Sequence, residues 1–233
     1  MLYPGGFQVQ SVVIKTDGKQ EIHEDVKPPE YNNKEEFLAA IGQSGLVGLG
    51  GAGFPSHVKL APPPDKEIDT LVINAAECEP FITSDYREIM ENTWHVISGI
   101  NIIMEMLDIN NVLIGVEDNK PEAIKELAHL AATSDKINVV ELKSRYPQGA
   151  EKMLIYAVTG RKVPAGGLPM DVGVIVLNVN SISFISNYIK TGMPLTRKRI
   201  TIDGSAIKTP GNFDVPIGTT LNDVFEFAGG FAS

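Results

Sequence analysis

The chain has 233 residues, 29 acidic against 20 basic side chains and a formal net charge of −9, with 43% hydrophobic and 21% charged residues. That balance supports a real core, excludes a disordered chain, and at about one domain per 150 residues allows one large or two small domains. Lys and Arg are not in surplus to neutralise phosphates, which excludes a general nucleic-acid binder, and no apolar run reaches the roughly 20 residues that span a bilayer.

Residues 1–33 read as an entry segment whose strand has no obvious local partner, so that something upstream is missing or the strand pairs far away in sequence. Val9 to Lys15 (VQSVVIK) predicts a strand, Asp17-Gly18 its turn, and Val26 to Asn33 an extended link. Lys34 to Ile41 is an amphipathic helix that runs into the glycine-dense stretch Gly45 to Gly53. Extended and helical patterns then alternate. Thr70 to Asn74, Asn111 to Val116, Ile137 to Leu142 and Val172 to Asn178 are apolar runs of the kind buried on both faces of a sheet. Helical periodicity covers Ser84 to Leu107, Pro121 to Ala132, Gly149 to Thr159 and Ser181 to Ile189. The class is α/β, a mostly parallel sheet with flanking helices over 34–191. From Gly192 the pattern changes to a strand (Arg199 to Asp203), a turn (Gly204 to Gly211), a strand (Asn212 to Pro216) and a helix (Thr220 to Phe227) closed by Gly229-Gly230. This piece, 192–233, is about 40 residues, below the size at which a domain usually stands alone.

The strongest local feature is Gly48 to Gly53 followed by Phe54-Pro55-Ser56-His57-Val58-Lys59. It satisfies G-x-G-x-x-G, but the dinucleotide fingerprint needs a strand directly before it, and here a helix and the loop Gln43 to Val47 precede it. The ordinary Rossmann reading therefore fails. What survives is that glycines let backbone N–H groups approach an anion closely, that Pro55 suits the first turn of a short helix, and that Lys59 supplies a point charge one turn later. The other reading is a turn used only for tight packing. A second constellation, Asn74 to Pro80, lies at the carboxyl end of the first buried strand, where ligands of open α/β sheets bind, and carries Glu77 and Glu79. Its alternative is a solvated loop with ordinary acids. Cys78, the one cysteine, excludes a disulfide framework and any self-contained iron–sulfur or Cys-rich zinc site, and reads more simply as a small buried residue than as a reactive thiol. Tyr146 to Lys152 opens a helix as a second anion seat, Val163 to Pro169 is a rigid loop, and Leu177 to Ser181 places polar groups at another strand end. His23, His57, His95 and His129 show no metal spacing, so no metal ligand is assigned. These strand ends and glycine turns converge on one sheet edge, fit to hold a phosphorylated planar ligand with no covalent nucleophile.

Three runs in order, GLVGLGGAGFPSHVKL, INAAECEPFITSDYR and YPQGAEKMLIYAVTGRKVPAGGLPMDVG, resemble the Rnf-C component of the Rnf electron-transport complex. They are also similar to the Rnf-C-like protein associated with proline reductase and, more distantly, to the NADH-binding FMN subunit of respiratory complex I. The resemblance implies a Rossmann-like domain that binds FMN and NADH, then a β-grasp "soluble ligand binding" module whose first half is TPGNFDVPIGTTLNDVFEFAGG. It implies FMN contacts at Gly48, Gly50, Lys59, Asn74 and Glu77, and further ones at Gly149, Glu151, Val176, Leu177, Asn178 and Ser181. It implies NADH contacts at Gly51, Phe54 and Glu79. The implied chemistry is hydride transfer from NADH to FMN, with electrons passed to iron–sulfur centres of a larger redox complex. The partners are its other subunits, the 4Fe–4S clusters belong to the full-length parent, and the location is cytoplasmic, peripheral to the membrane through those subunits. The alternative is a non-catalytic docking module with a degenerate flavin pocket, since Ala76 and Ala150 stand where the complex I subunit has acids.

Overall fold

In a computed structural model, which describes residues 10, 12–19 and 21–232, the apolar runs become strands β1 (Thr70–Ala75), β2 (Val112–Glu117), β3 (Ile137–Leu142) and β4 (Val174–Asn178). All neighbours pair in parallel, in the order β3-β2-β1-β4. The runs are continuous because both faces are covered. Leu71 and Ile73 of β1 face a cluster with Ile89, Ile100, Leu127 and Ile182, whereas Val72 joins Val174, Val176, Leu154 and Ile155 on the opposite face. The α/β class and the parallel sheet read from the sequence are both present.

The helices begin where local chemistry permits. In α1 (Lys34–Gln43), Asn33 Oδ1 accepts from Glu36 N at 2.9 Å while the Glu36 carboxylate accepts from Asn32 N at 2.7 Å, a reciprocal cap. A short helix, α2 (Ser56–Lys59), follows the glycine stretch, and Pro55 stands just before its first residue. Next come α3 (Ser84–Leu107), α4 (Pro121–Ala131), α5 (Glu151–Thr159) and α6 (Val179–Thr191). Helix α5 starts two residues later than its periodicity suggests, because Ala150 is extended and Gly149 belongs to the preceding turn. Helix α3 bends at Asn92 (φ −131°, ψ 30°), where the Thr93 hydroxyl donates back to the Ile89 carbonyl and the Asn92 amide donates to Glu88 Oε1 at 3.0 Å. Side-chain competition for the helix ladder is an established cause of such bends.

Strand succession runs outward from β1 to β2 to β3, and β4 then returns to pair on the other side of β1. The order thus reverses between β1 and β4, which opens a crevice beyond their carboxyl ends. Beyond α6, β5 (Arg197–Ile202) and β6 (Gly211–Pro216) form an antiparallel pair followed by α7 (Leu221–Phe227). Thr220 caps α7, and Gly230 N to Phe225 O (2.8 Å) with Gly229 N to Glu226 O (3.0 Å) close it, both glycines having positive φ. This piece lies on the first half of α3. Thr83 N donates to Thr201 Oγ1 at 3.1 Å, Asn212 Nδ2 donates to Thr83 Oγ1 at 2.8 Å, and Arg199 pairs with Glu88 at 3.3 Å.

The strand expected over Val9 to Lys15 does not form among its described residues; Val9 and Ser11 lie outside them. Val12, Val13 and Ile14 are 88%, 90% and 79% exposed, and no described strand lies beside them to accept or donate the ladder bonds that fix an extended backbone.

Helices α3 and α6 bring backbone together at Gly99, where a Cβ would stand 2.2 Å from the Ile182 carbonyl oxygen. Gly99→Ala is therefore expected to destabilise the fold by about 1–3 kcal/mol, read by urea unfolding, because the obstruction is backbone.

Candidate functional site

The crevice between β1 and β4 holds a cavity of about 570 Å³, within the range of roughly 300–1,000 Å³ typical of small-molecule sites. Its roof is the glycine loop from Gly48 to Gly53, its side is α2 with Ser56 and Lys59, and its apolar wall is Val174 to Leu177. Asn74, Asn178 and Ser181 contribute from the strand ends, and Gly149 with Glu151 from the start of α5.

Close backbone approach holds the roof in place. Leu49 N donates to Ser181 Oγ at 3.1 Å, Gly48 N donates to Phe54 O at 2.9 Å, and Val47 pairs with Pro55 across the base of the loop. A Cβ on Gly50 would fall 2.4 Å from Asn178 Nδ2, so glycine is required there by contact. A Cβ on Gly149 would fall 2.3 Å from the Ala76 carbonyl oxygen, and Asn74 Nδ2 donates to the Gly149 carbonyl at 2.8 Å. Lys59 Nζ lies 2.7 Å from Glu151 Oε1, with both side chains about one-third exposed (32% and 39%). The buried Ser56 hydroxyl, on the cavity side of α2, has no hydrogen-bond partner among the described residues.

Of the residues singled out from the sequence, Gly48, Gly50, Gly51, Phe54, Lys59 and Asn74 line this one cavity together with Gly149, Glu151, Val176, Leu177, Asn178 and Ser181. Glu77 and Glu79 do not line it. Glu77 Oε1 accepts from Asp85 N at 2.7 Å, Oε2 accepts from Tyr86 N at 3.2 Å, and Lys120 Nζ pairs with it at 2.9 Å, its side chain being only 4% exposed. It is an anion at the N-terminus of α3, where the helix dipole favours it. Glu79 is exposed and accepts from the Tyr146 hydroxyl at 3.3 Å. The loop Val163 to Pro169 singled out from the sequence reaches the cavity with Leu168 and Pro169, and Met170 follows them, while Ser56, quoted within the glycine run, has no role assigned from the sequence.

Sequence reasoning missed Asp85. Burial first, and then the negative charge of Glu77, pushes Asp85 up to about 7, against the opposing pull of Asn178, Asn180 and Lys120. Asn178 Nδ2 donates to Asp85 Oδ2 at 2.8 Å and Asn180 Nδ2 donates to Oδ1.

The donor set suits a phosphorylated planar ligand such as FMN. Gly50 lets the loop backbone close against Asn178, the Ser56 hydroxyl is an unused polar group, Lys59 brings a cation, and the β4 wall is apolar. No group of acidic, histidine or cysteine side chains among the described residues has the arrangement of a metal site. Among the same residues, no helix is long and apolar enough to cross a membrane.

Comparison with known proteins gives a consistent picture. The Nuo51 FMN-binding domain matches residues 41–187, and the SLBB domain matches residues 199–233. The C component of the proton-translocating ferredoxin:NAD(+) oxidoreductase complex of Clostridium ljungdahlii is 49% identical over 98% of this chain and 50% of that protein. The Na(+)-translocating counterpart of Acetobacterium woodii is 42% identical over 99% of this chain and 53% of that protein. The C component of the ion-translocating oxidoreductase complex of Pseudomonas aeruginosa is 39% identical over 97% of this chain and 30% of that protein. The resemblance to Rnf-C read from the three sequence runs thus extends over nearly the whole chain, which spans about half the length of the first two relatives. Crystal structures of an NAD+-reducing [NiFe]-hydrogenase share the fold. The air-oxidised form has a TM-score of 0.70 at 21% identity, covering 84% of this chain and 39% of that one. The H2-reduced form has 0.68 at 22%, covering 85% and 39%.

Asp85 also gives a stability prediction. Its folded value lies above the ordinary 3.8, so between about pH 4 and about pH 7 the folded chain holds a proton that the unfolded chain has lost. That contribution is present at low pH and disappears as pH rises through the window. Thermal melts of Asp85→Asn against wild type should therefore shift in favour of the variant on going from about pH 5 to about pH 8, by at most about 3 kcal/mol. A pH-independent gap between the two would show that Asp85 does not titrate there.

Proposed function

We propose, because the chain belongs to the family of the Nuo51 FMN-binding domain, that it is an electron-transfer module that holds FMN in the cavity between the glycine loop and the end of β4. The observation that carries this reading is the contact of Gly50 with Asn178, which roofs a ligand-sized cavity at the reversal point of the sheet. FMN bound there would supply hydride acceptance from NADH and single-electron release to iron–sulfur centres.

The chain's own residues bind and orient. Gly48 and Gly50 keep the roof free of side chains, and Lys59, which now faces Glu151, supplies the cation for a phosphate. Asn74 is fixed by its bond to Gly149, and Asn178 and Ser181 present polar groups at the start of α6. Val176 and Leu177 form part of the apolar wall that excludes water. Gly51 and Phe54, both exposed, are the side from which NADH would enter, and Glu79 would border that entrance from its bond with Tyr146. Glu77 acts through α3 rather than from the cavity wall.

The relatives are named as subunits of ferredoxin:NAD oxidoreductase complexes. By extension this chain works beside other subunits, with the 4Fe–4S clusters carried elsewhere in the complete protein and the complex bringing it to the membrane. Residues 34–191 are then the FMN- and NADH-binding domain and 192–233 part of a β-grasp module. One observation favours the second reading, a docking module without flavin: Glu151 already satisfies Lys59.

Titration of the purified chain with FMN, followed by flavin fluorescence and visible absorption, separates the two. The flavin reading expects saturable binding and bleaching of the flavin band when NADH is added without oxygen. It also expects Lys59→Ala to weaken FMN by about tenfold or more while riboflavin, which lacks the phosphate, changes little. No saturable binding of either flavin would favour the docking module.

A further inference from the structure

Two carboxylates stand behind the cavity without lining it, and they act in series. Glu77 holds the first turn of α3 through Asp85 N and Tyr86 N, and Lys120 holds Glu77. That turn carries Asp85, whose carboxylate accepts from the side-chain amides of Asn178 and Asn180. The Asn178 oxygen in turn accepts from Asn180 N at 2.9 Å, the cap of α6. Asn178 is therefore engaged at both ends. Turned over, its oxygen would face a carboxylate and its NH2 a backbone donor, and each is a repulsive arrangement. The orientation matters because the Asn178 amide nitrogen fills the place that a side chain at Gly50 would need.

We infer that Asp85 is a positioning residue of the flavin site: by accepting from Asn178 and Asn180 it fixes the Asn178 amide against Gly50, and so sets where the glycine loop can lie. Its ligand half rests on the flavin reading given above; its control of the loop does not. Asp85 belongs to neither the glycine loop nor the cavity wall, so the effect travels through its amide partners Asn178 and Asn180.

The test compares wild type with Asp85→Ala and Asp85→Asn at about pH 8, where the carboxylate is charged. Amide hydrogen exchange is read at Gly48 and Leu49, which are bonded to Phe54 and Ser181, and at Val72 and Ile73 in the centre of β1. Affinity is read with FMN and with riboflavin. The alanine variant is expected to speed exchange at Gly48 and Leu49 by about tenfold, with Val72 and Ile73 unchanged. It is expected to weaken FMN and riboflavin alike, by about tenfold. The asparagine variant keeps one acceptor and should show a smaller effect of the same kind; it carries the test if the alanine variant does not fold.

A carboxylate that acted only by its charge on the ligand would, once removed, tighten FMN and leave riboflavin and loop exchange unchanged. That result overturns the inference. So does an equal rise of exchange in the loop and in β1, which would make Asp85 a general structural residue. If wild type and both variants bind no flavin while the loop responds as expected, the flavin reading fails and the positioning role stands. Unchanged loop exchange in both variants sinks the positioning role whatever the flavin does.

Discussion

Strand β4 returns past its predecessors to pair with β1 from the far side, and the helices that follow these two strands, α3 and α6, pack against each other on one face of the sheet. The cavity lies beyond the carboxyl ends of the same two strands. It is enclosed by segments from elsewhere: the glycine loop before α2, the turn before α5 and the loop that leads into β4. Each must bring backbone up against the strand ends. Gly50 meets Asn178 and Gly149 meets the Ala76 carbonyl at distances where no Cβ fits, so the sheet order and the two glycines are one constraint.

The polar groups are arranged around that constraint in two tiers. At the cavity wall stand Lys59 with Glu151, Ser56, Asn74 and Asn178, which are partly open to a ligand. Behind it stand Glu77, Lys120, Asp85 and Asn180, which touch the wall only through hydrogen bonds. The rear tier is charged and sheltered, which costs desolvation energy and raises Asp85 toward neutrality. A purely structural need for a helix N-cap would be met by one serine or aspartate at the surface. The β5–β6 hairpin rests on the same first half of α3 through Thr83 and Glu88, so the rear tier is held from both sides.

Much of this was legible in the amino-acid order because burial on both faces of a parallel sheet leaves a continuous apolar signature, as in Thr70 to Asn74 and Val172 to Asn178. The glycine loop was legible for the same physical reason that it exists: so many glycines together carry an entropic cost that only close approach justifies. The missing strand before it correctly separated it from the dinucleotide fingerprint, and α1 stands in that place. Direction was harder. Spacing puts Glu77 and Glu79 two apart beyond a strand end, but which way the loop turns depends on Lys120 and the start of α3, both distant in sequence. Asp85 carries no local signal, because its partners Asn178 and Asn180 reach it only through the return of β4. At Val12 to Ile14 local pattern reports what a segment favours and neighbours decide whether it is realised, whereas the bend at Asn92 comes from side-chain bonds within α3 itself.

The measurement that bears most directly on a flavin site under the glycine loop is an amide NMR map of the isotopically labelled chain titrated with FMN. Saturable shifts are expected at Gly48, Gly50 and Gly51, at Lys59 and at Asn178 to Ser181, with β3 and α7 unmoved. Saturable shifts centred on any other surface, or flavin binding that leaves the glycine loop silent, would contradict that placement.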